Sequence, residues 1–194
     1  TPGFVRVSGD SVRLDIRPNA VDEDLAHHLA CFWDKKDLMD GTFDLKGELA
    51  SPDARGGVTS SLNGEVEFRG YKGRIYRFEV LSKIFSMINV TEIYRGQLPD
   101  LVNEGCAYDT IKSGGKVKDG KLVLSESILE GPVVRLVWRG EVDLVKQELN
   151  CTVIVSPFKT VDRIVRFVPL LGRLLNGTLV SIPVQVTGSL ADPT

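Results

Sequence analysis

The residues closest to a chemical motif are Gly115-Lys116-Val117-Lys118-Asp119-Gly120-Lys121, which match most of a phosphate-binding loop. Leu122 stands where that loop carries the Ser or Thr hydroxyl that holds Mg²⁺. Such a loop also needs a strand before it and a helix N-terminus after it, whereas here a D-G turn joins two alternating strands. His27 and His28 are adjacent, so on a helix they point about 100° apart and cannot share one metal. With no third His and no C-x-x-C pair, a zinc site is not assembled. No Ser lies in a Gly-x-Ser-x-Gly elbow. Cys31, Cys106 and Cys151 are far apart, leave one over whatever the pairing, and sit beside apolar residues, as buried free thiols do. Neither a reaction nor a cofactor follows from these residues.

The elements that would position any site are easier to read. A chain of 194 residues with 42% apolar content supports one sizeable core, burying roughly 70% of the unfolded surface. Its net charge of −2 is dispersed, with no basic block to neutralise a row of phosphates, so nucleic acid is not expected as a partner. No apolar run approaches the roughly 20 residues that span a bilayer. Beginning at Thr1-Pro2, the chain reads as a piece excised from a larger protein, with any targeting or anchoring segment upstream.

Residues 3–17 predict a hairpin about Gly9-Asp10. From Asn19 the pattern shifts toward a helix, with Asp22-Glu23-Asp24 as an acidic first turn before Leu25, Leu29 and Phe32. Phe43, Leu45, Gly47 and Leu49 alternate with Thr42, Asp44, Lys46 and Glu48. A second strand places Val66 and Phe68 opposite Glu65, Glu67 and Arg69, and a third starts at Gly73. That third strand runs into Val80, Leu81, Ile84, Phe85 and Ile88, which carry helical spacing. From Cys106 to Ser156 the chain predicts an antiparallel meander turning at Asp119-Gly120, Gly131-Pro132 and Val145 to Glu148.

The stretch from Ser156 to Pro193 changes period from helical to extended. Val161, Ile164, Val165, Val168, Leu171, Leu174 and Leu175 form one helical face, which Pro169 splits into two arms. Asn176-Gly177 ends it, then Val180, Ile182, Val184 and Val186 alternate, and Pro183 marks an edge strand. The predicted fold is mainly β (α+β): one long, curved antiparallel sheet from residues 41–49, 62–78, 106–156 and 178–190. Two or three amphipathic helices, chiefly 80–89 and 158–175, cap its apolar side. Residues 1–194 form a single domain, with 1–40 a hairpin plus helix.

With these residues laid out, the segment from about Asp40 to Pro193 resembles the C-terminal region of the AsmA-like family of large bacterial envelope proteins, related to TamB and YhdP. The blocks that carry the likeness are GTFDLKGEL, GRIYRFEVLSKIFSMINV, RGQLPDL, EGPVVRLVWRGEVDL and VSPFKTVDRIVRFVPLLGRLLNGTLVSIPVQVTGSLADP. The last is the most specific. The resemblance implies a groove-shaped, non-enzymatic, bridge-type carrier of phospholipid in the periplasm, anchored to the inner membrane by a segment upstream of this chain. It offers no catalytic residues to carry over.

Two functional readings stand at this point, a lipid-handling module of envelope assembly and a structural or protein-interaction domain whose apolar surfaces are all internal; an enzyme comes third. Under the first, acyl chains would touch Phe85, Ile88, Val134, Leu136, Trp138, Val153, Leu171 and Leu175, and Arg163 or Arg166 would face the head group, since a guanidinium fork suits a phosphate. The partners expected are a phospholipid or another acyl-chain lipid, the rest of the protein's own chain upstream, and other envelope proteins.

Overall fold

The computed structural model describes residues 3–8, 11–33, 38–53, 57–76, 105–132, 134–157 and 182–190. Among these residues ten strands and one α-helix follow in chain order, with a single 3-10 turn at Thr59–Ser61: β1 Gly3–Ser8, β2 Ser11–Ile16, β3 Asn19–Asp24, α1 Leu25–Trp33, β4 Thr42–Ser51, β5 Asn63–Ile75, β6 Cys106–Lys118, β7 Lys121–Glu130, β8 Val134–Asp143, β9 Glu148–Pro157 and β10 Ile182–Ser189. They form a single antiparallel sheet, long, curved and unclosed, in the order β1-β2-β4-β5-β6-β7-β8-β9-β10, with β3 also paired to β4.

The N-terminal hairpin forms where its turn dipeptide places it, with Ser8 opposite Ser11. β2 and β3 lie end to end along one edge of β4: Ile16 pairs with Leu49 and Asn19 with Lys46 in unchanged register. Pro18 sits at the gap. It has no N–H to give the ladder, but its carbonyl still accepts the Gly47 N–H at 3.1 Å. The helix predicted from Asn19 therefore starts later. Residues 19–24 are strand, with a bulge at Asp22, whose φ is 53° and whose N–H donates to Asp44 Oδ1 at 2.9 Å. α1 begins at Leu25, and the Asp24 carboxylate accepts the His27 N–H at 2.7 Å, an N-cap rather than part of a first turn.

A second correction concerns residues 62–78. The two strands expected there are the one strand β5, paired with β6 in constant register from Gly64↔Val117 to Ile75↔Cys106. Gly70-Tyr71-Lys72-Gly73 has the composition of a turn. The chain passes through it extended, with only Lys72 in the left-handed region, at φ 44°. The meander β6 to β9 forms as its turn residues predict. Asp119 (φ 48°) and Gly120 (φ 76°) both adopt the left-handed conformation that suits a two-residue hairpin. β10, with its Pro183, lies at the end of the strand order, as an edge position requires.

The expected helices 80–89 and 158–175 lie outside the described residues, among which α1 is the one α-helix. The predicted capping of the sheet by amphipathic helices is accordingly not part of the described fold. α1 itself seats the buried Leu25 under its first turn and sets the His28 ring edge-on to Phe43, 5.2 Å between centroids.

Candidate functional site

The alternation in each strand gives it an apolar and a polar side, and the ladder registers decide which side chains line up. Four rows cross the sheet from β4 to β9 and β10. One is Phe43, Gly70, Ile111, Leu129, Leu136 and Val155. The next is Leu45, Phe68, Ser113, Ser127, Trp138, Val153 and Val184. A third is Gly47, Val66, Gly115, Leu124, Gly140, Cys151 and Val186. The last is Leu49, Gly64, Val117, Leu122, Val142 and Leu149. At about 4.8 Å per strand the surface from β4 to β10 measures about 29 Å across the strands.

β7 keeps its apolar residues on this face only because of a bulge. Its pairing to both neighbours shifts between Leu124 and Ser127, so Leu122 and Leu124 are followed, one residue out of phase, by Ser127 and Leu129. The bulge is stitched by hydroxyls: Ser125 Oγ donates to the Gly114 carbonyl at 2.8 Å, and Ser127 Oγ donates to the Ser125 carbonyl at 3.1 Å. The Ser127 and Ser113 hydroxyls share a 2.9 Å hydrogen bond. Ser127 is 0% exposed, so this pair is a satisfied polar island in an apolar floor.

Burial grades across the rows. Cys106, Tyr108, Ile111, Leu129, Val134, Leu136, Val155 and Val186 form the core cluster, with Val134 at 1% and Val155 at 0% exposure. Phe68, Trp138, Leu149, Val153 and Val184 pack against it half-buried. The opposite face carries exposed Lys46, Glu65, Glu67, Arg69, Lys112, Lys116, Arg135, Arg139 and Glu141.

Of the residues predicted to touch lipid, the structure brings Val134, Leu136, Trp138 and Val153 together on this face, Leu136 opposite Val155 and Trp138 opposite Val153. Phe85, Ile88, Arg163, Arg166, Leu171 and Leu175 lie outside the described residues. Phe43, Phe68, Ile111 and Leu129 belong to the same surface and were not among the predicted contacts. The alternation in β4 and β5 gave the signal for the first two, while the bulge disguised it for Leu129.

Electrostatics add no reactive group here. Burial pushes the Cys106 and Cys151 thiols up, away from the thiolate form. Cys31 is exposed, and none of the three forms a disulfide. Burial, and then the charge of Asp40, pushes the Tyr108 hydroxyl up to about 12. Among the described residues no group of three or more His, Cys, Asp or Glu could hold a metal ion, and no buried side-chain N or O lacks a hydrogen-bond partner. No helix among them is long and apolar enough to cross a membrane. The face offers contact to apolar matter.

A family model described as YhdP protein matches residues 6–194. Over 103 residues the chain is 26% identical to the intermembrane phospholipid transporter YhdP of Escherichia coli (strain K12), a stretch that covers 50% of this chain and 8% of that protein. No solved structure matches the chain.

Proposed function

The chain belongs to the YhdP family, and from that premise we propose that it is a non-enzymatic module of envelope biogenesis whose apolar sheet face carries phospholipid, as part of a bridge-type carrier between the inner and outer membranes. The observation that supports this most is the largely apolar surface that runs across β4 to β10 on an unclosed sheet, interrupted by the Ser113–Ser127 pair. Each buried CH₂ is worth about 0.8 kcal/mol, so an acyl chain gains on the order of 10 kcal/mol along such a surface. Val134, Leu136, Trp138 and Val153 would line the tails. Phe85, Ile88, Leu171 and Leu175 would complete the lining, and Arg163 or Arg166 would meet the phosphate. The module would work in the periplasm, within a protein anchored to the inner membrane by a segment outside this chain.

A second reading, a structural or protein-interaction domain without direct lipid contact, is favoured by the near-complete burial of Val134, Leu136 and Val155, which leaves no open surface at that end of the face. Photoreactive phospholipid distinguishes the two. Under the carrier reading the wild type is labelled on β8 and β9, and a folded Trp138→Asp variant much less. Equal labelling of both, or none, would leave the interaction domain standing. Mass spectrometry of lipids extracted from protein purified without detergent gives an independent check.

A further inference from the structure

Residues 19–33, which are β3 and α1, lie against β4 as a strap. Asn19 and Ala20 pair with Lys46 and Leu45, and Glu23 and Asp24 pair with Phe43 and Thr42; between them Val21 and Asp22 both stand opposite the single residue Asp44. This bulge is a ready hinge, since Asp22 holds a left-handed conformation, at φ 53°, that few non-glycine residues adopt. Asp44 latches it. Its Oδ1 accepts the Asp22 N–H at 2.9 Å, and its Oδ2 accepts the Tyr71 hydroxyl, also at 2.9 Å, so the latch is itself held by β5.

Beyond the hinge one side chain seals the strap. Leu25 is 5% exposed, whereas Val21 to Asp24, Ala26 and His27 are exposed and His28, Leu29 and Ala30 half-buried. A nine-residue helix is shorter than those that hold in water unaided, so α1 persists through this seal, its Asp24 cap and the Leu25 N–H bond to the Gly41 carbonyl at 3.0 Å. Among the described residues β3 pairs with β4 alone, and its exposed Asp22, Glu23 and Asp24 deter another strand from joining that edge. What the strap covers is apolar. The His28 ring stands edge-on to Phe43, itself 5% exposed, and Phe43 stacks on Phe68 at 5.8 Å. Phe43 begins the row that crosses to Val155, and Phe68 stands second in the next.

We propose that β3 and α1 form a hinged gate on the apolar face, which swings about Val21-Asp22 to uncover Phe43 for a lipid acyl chain and closes again when the chain has left. Glu23 and Asp24 leave β4 while Asn19 and Ala20 stay paired, and the acyl chain takes the place of Leu25 against the Phe43 ring. Opening gives up the seal of one leucine, which methylenes on Phe43 replace in kind. Asp22 to Asp24 are in water in the closed gate and stay there in the open one, so no charge is buried by the motion. This assignment rests on the phospholipid-carrying reading of the sheet face.

Hydrogen exchange on the purified protein reads the opening without lipid. The Leu25 and His27 amides are expected to show protection about a hundredfold below that of the β6 amides, and Asp44→Ala to lower it about tenfold further while β6 is unchanged. Protection in α1 equal to that of β6, or an Asp44→Ala loss that β6 shares, overturns the gate. Asp24 and Thr42 stand directly opposite each other, one step from the Leu25 to Gly41 hydrogen bond, where Cα atoms come close enough for a disulfide. Asp24→Cys/Thr42→Cys, in a Cys31→Ser background, is therefore locked by oxidation and freed by reduction. With photoreactive phospholipid delivered in detergent micelles, the reduced form is expected to be labelled on β4 and β5 several-fold more than the oxidised form, and β8 and β9 alike in both. Equal labelling of β4 and β5 in the two forms, beside labelled β8 and β9, overturns the gate and keeps the carrier face. No labelling of either form anywhere on the sheet refutes the carrier face, and the lipid's part in the gate with it.

Discussion

The Tyr108 hydroxyl donates a 2.6 Å hydrogen bond to the main-chain carbonyl of Asp40, across 68 positions of sequence. Around it Asp40 N–H donates to the Arg74 carbonyl at 2.9 Å, and Tyr76 Oη donates to Asp40 Oδ2 at 2.7 Å. The short segment before β4 is thereby pinned to the ends of β5 and β6. Tyr108→Phe leaves a part-buried carbonyl without its donor and is expected to cost about 1–3 kcal/mol in urea unfolding.

The same hydroxyl sets an alkaline limit. Its folded pKa of about 12 lies above the unfolded value of 10.0, so the native state keeps a proton that the unfolded chain releases. That contribution is fully present below pH 10 and disappears as pH rises from 10 toward 12. Denaturation midpoints measured across this window should fall more steeply for wild type than for Tyr108→Phe; parallel curves would refute the account.

On the acid side, the N–H groups of Lys146 and Val145 hold the Asp143 carboxyl below its usual range, and the Asp22 N–H together with the Tyr71 hydroxyl does the same for Asp44. Both depressed carboxyls add stability that is present above the ordinary pKa of 3.8 and is lost as pH falls through the lowered values. Asp44→Asn/Asp143→Asn should flatten the loss of melting temperature on acidification below about pH 4. An unchanged acid profile would show these bonds to be immaterial.

Ser127→Ala deprives the Ser113 hydroxyl of its buried partner and should cost about 1–2 kcal/mol. Ser113→Ala/Ser127→Ala should cost less than the sum of the two single changes, because neither orphaned hydroxyl remains. Strict additivity in a double-mutant cycle would contradict the pairing.

Gly140 faces the backbone of β9 so closely that an added Cβ would overlap the Asn150 carbonyl oxygen and lie 2.6 Å from Cys151 Cα. Gly140→Ala should destabilise the sheet by about 1–3 kcal/mol through overpacking. Chemical denaturation reads the loss directly, and a variant as stable as wild type would mean that β8 and β9 separate without cost.

What the sequence disclosed follows from local pattern. Phe43, Leu45 and Leu49 alternate with charged neighbours, and Asp119-Gly120 announces a hairpin; both are local facts, and both reappear as strand faces and a turn. The family was likewise legible, because the blocks from GTFDLKGEL to VTGSLADP are contiguous. Lys72 could not be foreseen, since Gly70 and Gly73 on either side of it spell a turn whose strand is held extended by pairing with distant Tyr108 and Thr110 on one side and with Thr42 and Phe43 on the other. The acidic run at 22–24 misled for a similar reason: Asp44, far along the chain, recruits the Asp22 N–H into a bulge. The cross-strand rows depend on turn lengths and on the extra residue in β7 together, and no window of sequence holds both.

The strand order has a temporal side. From β4 to β10 each strand pairs with the one made just before it, so the sheet can lengthen from its N-terminal end as the chain emerges, without waiting for a distant partner. Ladders between sequence neighbours keep most loop closures short, which favours fast assembly; the exceptions are β5 to β6, where residues 76–105 intervene, and β9 to β10, where residues 158–181 do, and those two closures carry the largest entropic costs in the sheet. A chain halted anywhere else would hold a shorter version of the same sheet, with its growing edge ready for the next strand.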